Sequence, residues 1–148
     1  MKEGGKSDNH PAYNIQHLSV ILQIIDARVS AGFPSPAADH SENEIDLIKE
    51  FGLDKPSVFI MQVDGTSMQG ERIFIPNGAY ICVDRAPKAR PGNVVIAILN
   101  GEFTVKTLLR KNGRWILHPE NPAFSPIEVG QEDELTIWGV AKAVIFRL

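Results

Sequence analysis

Two stretches of the sequence hold residue types able to do covalent chemistry. In Val63-Asp64-Gly65-Thr66-Ser67-Met68, a serine follows an apolar, strand-like run across a Gly-containing turn. A turn in that place exposes the hydroxyl, can open a short helix, and offers backbone N–H groups to a developing oxyanion. Most Gly-Thr-Ser stretches are plain turns, so Ser67 alone does not define a nucleophile. The second stretch is Glu102-Phe103-Thr104-Val105-Lys106-Thr107-Leu108-Leu109, in which a lysine interrupts an apolar strand. One reading lays the stem of Lys106 along apolar surface with the ammonium in water. The other removes the amine from water and makes it a general base. An ordinary lysine, of pKa about 10.4, is neutral in only about one molecule in 2,500 at pH 7. Bringing it near 7 takes roughly 4–5 kcal/mol of differential solvation, which burial among apolar side chains can supply. A Ser–Lys pair is therefore chemically available, provided the fold brings the two stretches together.

The elements that must position them are mostly β. Beyond Pro56, Val58–Val63, Ala79–Val83, Val94–Leu99, Phe103–Leu109, Trp115–Leu117 and Leu135–Phe146 are short runs rich in Val, Ile, Phe and Trp. Asp64-Gly65, Pro76-Asn77-Gly78, Arg90-Pro91-Gly92-Asn93, Asn100-Gly101 and Lys111-Asn112-Gly113 separate them. Asn100-Gly101 is the signature of a type I′ hairpin. The expectation is an antiparallel β domain of about six or seven strands. Upstream, residues 1–11 are polar and are expected to be disordered. His17–Val29 has apolar residues at helical spacing, but its β-branched content suits a strand-like arm nearly as well. Ser30-Ala31-Gly32-Phe33-Pro34-Ser35-Pro36 excludes helix, because its prolines drive Phe33 and Ser35 extended. A helix is expected over Ser41–Phe51, with Ser41 as cap, Glu44 three residues on, Ile45, Ile48 and Phe51 on one face, and Gly52 as the stop.

Taken together, these residues resemble the LexA/UmuD family of self-cleaving Ser–Lys peptidases, in its UmuD branch. The resemblance rests on Val63–Met68, on Gly101-Glu102-Phe103-Thr104-Val105-Lys106, on the tract Gly32-Phe33-Pro34-Ser35-Pro36-Ala37-Ala38-Asp39, on Asn121-Pro122-Ala123-Phe124-Ser125-Pro126-Ile127, and on Ile137-Trp138-Gly139-Val140. It covers about residues 30–148. It implies Ser67 as nucleophile, Lys106 as base and Ala31–Gly32 as the scissile bond, dividing the chain into an arm, 1–31, and a peptidase and dimerisation domain, 32–148. Small residues at the cut let the backbone approach the dyad closely, and Phe33-Pro34 holds the chain extended for docking. The resemblance further implies self-cleavage stimulated by a RecA nucleoprotein filament, a homodimer, and a UmuC-type subunit that the shortened dimer joins to form the translesion DNA polymerase V. No cofactor is implied. The sequence departs from the family at Ala79, where Asp is usual, and over Gln69-Gly70-Glu71-Arg72. Both departures bear on the loop around Ser67.

Several other classes fit poorly. The 148 residues are 43% hydrophobic and 22% charged, ordinary globular usage. A net charge of −3 gives no basic face for direct, sequence-specific DNA binding, and Arg85/Lys88/Arg90 and Arg110/Lys111/Arg114 are expected to decorate turns. The single cysteine, Cys82, lies in an apolar run and is expected to be buried and inert, without metal-ligand spacing. No apolar stretch approaches the roughly 20 residues of a membrane span, so a soluble, cytoplasmic protein is expected. His10, His17, His40 and His118 fall in no triad motif. A repressor's helix-turn-helix would not fit into the thirty or so residues before Ala31. A peptidase-dead binding subunit of a translesion polymerase would look nearly the same, and the presence of Ser67 and Lys106 is what speaks against it.

Overall fold

In a computed structural model, residues 21–25, 29–34, 37 and 42–148 are described. The chain divides into two compact units, Met1–Pro56 and Ser57–Leu148.

In the first unit, β1 (Ile21–Ile25) and β2 (Glu42–Asp46) pair antiparallel, with Ile21 opposite Asp46 and Ile25 opposite Glu42. Of the two readings left open for His17–Val29, Ile21–Ile25 takes the strand and not the helix. The helix expected over Ser41–Phe51 shrinks to α1 (Leu47–Glu50). Asp46 is its cap, with Oδ1 accepting from the backbone N–H groups of Ile48 at 3.1 Å and Lys49 at 3.4 Å. The residues before it go to the sheet, because pairing with a β-branched strand outweighs a weak local helical pattern. The far end follows expectation: Gly52 takes φ +63°, and the N–H groups of Gly52 and Leu53 donate to the carbonyls of Lys49 and Ile48 in a Schellman closure. The disorder expected for residues 1–11 and the Ser41 cap lie outside the described residues.

The second unit is a seven-stranded antiparallel sheet. Its strands are β3 (Val58–Gln62), β4 (Tyr80–Asp84), β5 (Val94–Leu99), β6 (Glu102–Lys111), β7 (Arg114–His118), β8 (Ile127–Glu128) and β9 (Leu135–Ile145), in the spatial order β3-β4-β9-β5-β6-β7-β8. Each expected run is found within one or two residues of its expected bounds. The sequence left β8 unannounced, because two residues are too few to show a strand's alternation. Asn100-Gly101 has φ +50° and +83°, the type I′ hairpin read from the sequence. Asn112-Gly113 repeats it between β6 and β7, with φ +51° and +76°. The two hairpins make β5, β6 and β7 one continuous ribbon and put Lys106 in its middle strand.

Two apolar clusters pack the sheet. One gathers Val63, Met68, Ile75, Ile81, Val83 and Ile96, with Val105 against it; the other gathers Val95, Ala97, Leu108, Leu117 and Val140. Alternation along β5 sends Ile96 to the first cluster and Val95 and Ala97 to the second. β9 skips one residue against each neighbour, at Lys142 opposite β4 and at Trp138 opposite β5. Beside that second bulge a Cβ on Gly139 would stand 2.5 Å from Val83 Cγ1, so the close crossing there admits only glycine.

Candidate active site

The serine turn is held from three sides. Past β3, the Val63 N–H donates to the Ala79 carbonyl, the Gly78 N–H donates to the Val63 carbonyl, and the Gly65 N–H donates to Asn77 Oδ1 at 2.8 Å. Ala79, at the first departure from the family, is itself buried in the core. Thr66 to Gln69 form a turn closed by the Gln69 N–H on the Thr66 carbonyl at 3.1 Å, in place of the short helix the sequence allowed. Met68, only 1% exposed, anchors the turn in the first cluster. Its apolar side chain fixes the residue beside Ser67 while the serine stays at the surface of a cleft.

That cleft holds about 240 Å³ and is lined by Met61, Val63, Asp64, Ser67, Phe103, Thr104 and Lys106, among others. Lys106 reaches it from β6 and is 9% exposed. Its Nζ lies 3.0 Å from Ser67 Oγ, 2.8 Å from Thr104 Oγ1 and 3.1 Å from the Val105 carbonyl oxygen. No carboxylate forms an ion pair with it among the described residues. Burial therefore acts without a counter-charge and pushes its pKa below the ordinary 10.5. As an ammonium, Nζ fills three acceptors with three protons. As a neutral amine it keeps two N–H groups, which Thr104 and Val105 can accept, and the lone pair is left facing Ser67.

The fold thus brings together the two residues that the sequence paired. Ala31 and Gly32 belong to the other unit and sit exposed in a bend, where the Gly32 N–H donates to Ser30 Oγ at 3.2 Å. Phe33 beside them is 94% exposed. Cys82 is buried and its thiol pushed up by burial, as an inert core cysteine should be.

The structure also supplies residues that the sequence did not single out. Thr104 precedes Lys106 by two positions, a period-2 relation that alternation along a strand makes visible. Glu120 gave no such signal, and Asn121 entered only as the head of a family motif, without a role. The Glu120 carboxylate, its side chain 6% exposed, accepts from Thr107 Oγ1 at 2.5 Å and pairs with Arg72. Burial pushes its pKa up, but the Thr107 hydroxyl, the Arg72 guanidinium and the nearby His118 together hold it below the usual range. The second departure from the family, Gln69–Arg72, lies against this loop: a Cβ on Gly70 would stand 2.4 Å from the Glu120 carbonyl oxygen.

Comparison with known proteins gives a family model and several relatives. The family model described as Peptidase S24-like matches residues 23–142. The LexA repressor of Bordetella pertussis is 37% identical over 137 residues, which are 91% of this chain and 62% of the repressor. That of Bordetella petrii is 41% identical over 118 residues, 80% of this chain and 51% of the repressor. The chain thus spans about three fifths or less of the LexA repressors it matches. Protein ImpA of Salmonella typhimurium is 37% identical over 136 residues, covering 87% of this chain and 86% of ImpA.

Proposed function

The chain belongs to the Peptidase S24-like family, in its LexA/UmuD group, and on that premise we propose that it cuts itself between Ala31 and Gly32 with Ser67 as nucleophile and Lys106 as base. The observation that carries this reading is the 3.0 Å approach of Lys106 Nζ to Ser67 Oγ inside an apolar strand. The neutral amine takes the hydroxyl proton as Oγ attacks the Ala31 carbonyl carbon. The negative charge that forms on the carbonyl oxygen is met by backbone N–H groups of the serine turn. The ammonium then returns its proton to the leaving Gly32 nitrogen, and residues 1–31 remain as an ester on Ser67. Water, losing a proton to Lys106, hydrolyses the ester and frees the Ala31 carboxylate. Since the substrate is part of the same protein, attack benefits from a high effective concentration.

The products are an arm, 1–31, and a peptidase and dimerisation domain, 32–148. The cut would part β1 from β2, the strand it pairs with, and so changes what the chain presents to a partner. Carried over from the family resemblance, the function is one of the SOS response: a RecA filament on single-stranded DNA stimulates the cut, and the shortened homodimer becomes the accessory subunit of a UmuC-type translesion polymerase, without binding DNA sequence-specifically itself. Among the described residues no helix is long and apolar enough to cross a membrane; action in the cytoplasm is carried over from the family resemblance.

Purified chain mixed at neutral pH with RecA, single-stranded DNA and ATP tests the regulatory part. Cleavage should run faster than in the chain alone, and faster than with RecA lacking DNA. The product 32–148 should then co-elute as a dimer with a UmuC-type subunit. Cleavage indifferent to the filament would instead make the chain a self-cleaving regulator of another kind.

A further inference from the structure

The loop after β7 grips both halves of the dyad. On one side, Asn121 donates twice to the serine turn: its backbone N–H to the Ser67 carbonyl at 3.0 Å, and its Nδ2 to the Thr66 carbonyl at 3.0 Å. On the other, the preceding Glu120 accepts from Thr107, the neighbour of Lys106 on β6. Glu120 also pairs with Arg72 and touches Gly70, both on the continuation of the serine turn.

A peptide group is planar, so fixing a carbonyl fixes the N–H of the next residue on the opposite side. Holding the Thr66 carbonyl orients the Ser67 N–H, and holding the Ser67 carbonyl orients the Met68 N–H. These two amides flank the nucleophile, where an oxyanion would form. We propose that Asn121, braced by Glu120, is a positioning residue that aims the Ser67 and Met68 amides at the oxyanion of the reaction. The proposal rests on the reading of Ser67 and Lys106 as a self-cleaving dyad.

The alternative is a purely structural role for Asn121, whose Oδ1 accepts from the Ala123 N–H at 3.0 Å and shapes the turn. Asn121→Asp separates the two. It keeps an acceptor for Ala123 but replaces the Nδ2 donor with a carboxylate oxygen facing the Thr66 carbonyl. Self-cleavage of Asn121→Asp should fall by about 10²-fold, the order expected for misaligned reacting groups. The loss should persist on the plateau of its pH–rate profile, where Lys106 is neutral and any rise in the midpoint caused by the added carboxylate no longer matters. Asn121→Ala should be as slow; where it fails to fold, the isosteric Asp variant carries the test.

A thermal midpoint measured on each variant shows that slow variants are folded. An Asp variant that cleaves within about threefold of wild type, or one whose pH midpoint moves while its plateau rate holds, overturns the proposal. A second readout is phosphonylation of Ser67 by an alkyl fluorophosphonate: Oγ displaces fluoride, Lys106 takes the proton, and the phosphoryl oxygen sits where the oxyanion would. If wild type labels at Ser67 but never cuts, self-cleavage is the reading that fails. The positioning role then stands if Asn121→Asp labels about tenfold or more slowly, and falls if the two label alike. A wild-type chain that neither cuts nor labels overturns both.

Discussion

Lys106→Ala and Lys106→Arg each lower the rate of cleavage at Ala31–Gly32 by about 10⁴-fold or more, the loss typical when one member of a nucleophile–base unit is removed. The alanine variant leaves Ser67 without a proton acceptor; Thr104 Oγ1 cannot serve, because a hydroxyl is far too weak a base. The arginine variant keeps the positive charge and much of the stem, but a guanidinium is not deprotonated in proteins. It therefore separates charge from basicity. Loss of cleavage in both, with thermal unfolding still cooperative, assigns proton transfer to Lys106. Substantial residual cleavage in the arginine variant would hand that role to another group.

Cleavage also accelerates steeply with pH. The reactive form is the neutral amine, whose population grows about tenfold per pH unit below the pKa of Lys106 and levels off above it. Burial without a counter-charge lowers that pKa from 10.5, so the plateau should be reached with a midpoint below 10.5. From pH 7 to 9 the rate should rise by about one to two orders of magnitude. Glu120, held below the usual carboxylate range, stays ionised across this window and adds no step. A time course of product formation at fixed pH values gives the profile directly. A flat profile, or one falling above pH 8, points to a different base.

Legibility in the sequence followed the range of the interaction. Strands β3 to β7 and β9 were readable because each is an apolar run closed by turn residues whose conformations are locally determined, as at Asn100-Gly101 with its positive φ values. α1 was over-read because the deciding partner of Glu42–Asp46 is Ile21–Ile25, a long way back in the chain. Alternation and turn chemistry say nothing about such a pairing. The same holds for the order β3-β4-β9-β5, in which the last strand inserts between earlier ones.

At the site, Lys106 announced itself as a charge inside an apolar strand. Its meeting with Ser67 came only from the family resemblance, since nothing local encodes a contact across 39 residues. Asn121 stood in a family motif, but its grip and that of Glu120 stayed hidden because their partners Thr66, Ser67, Gly70, Arg72 and Thr107 come from other parts of the chain. Such contacts depend on where distant segments meet.

The central claim is that this chain, unaided, cuts itself between Ala31 and Gly32 with Ser67. Intact mass of the purified protein, followed over time at a pH high enough to deprotonate Lys106, tests it most directly. Two products should appear, residues 1–31 and 32–148, with no change in Ser67→Ala. A chain that stays whole, a cut at any other bond, or the same cut in Ser67→Ala would contradict it.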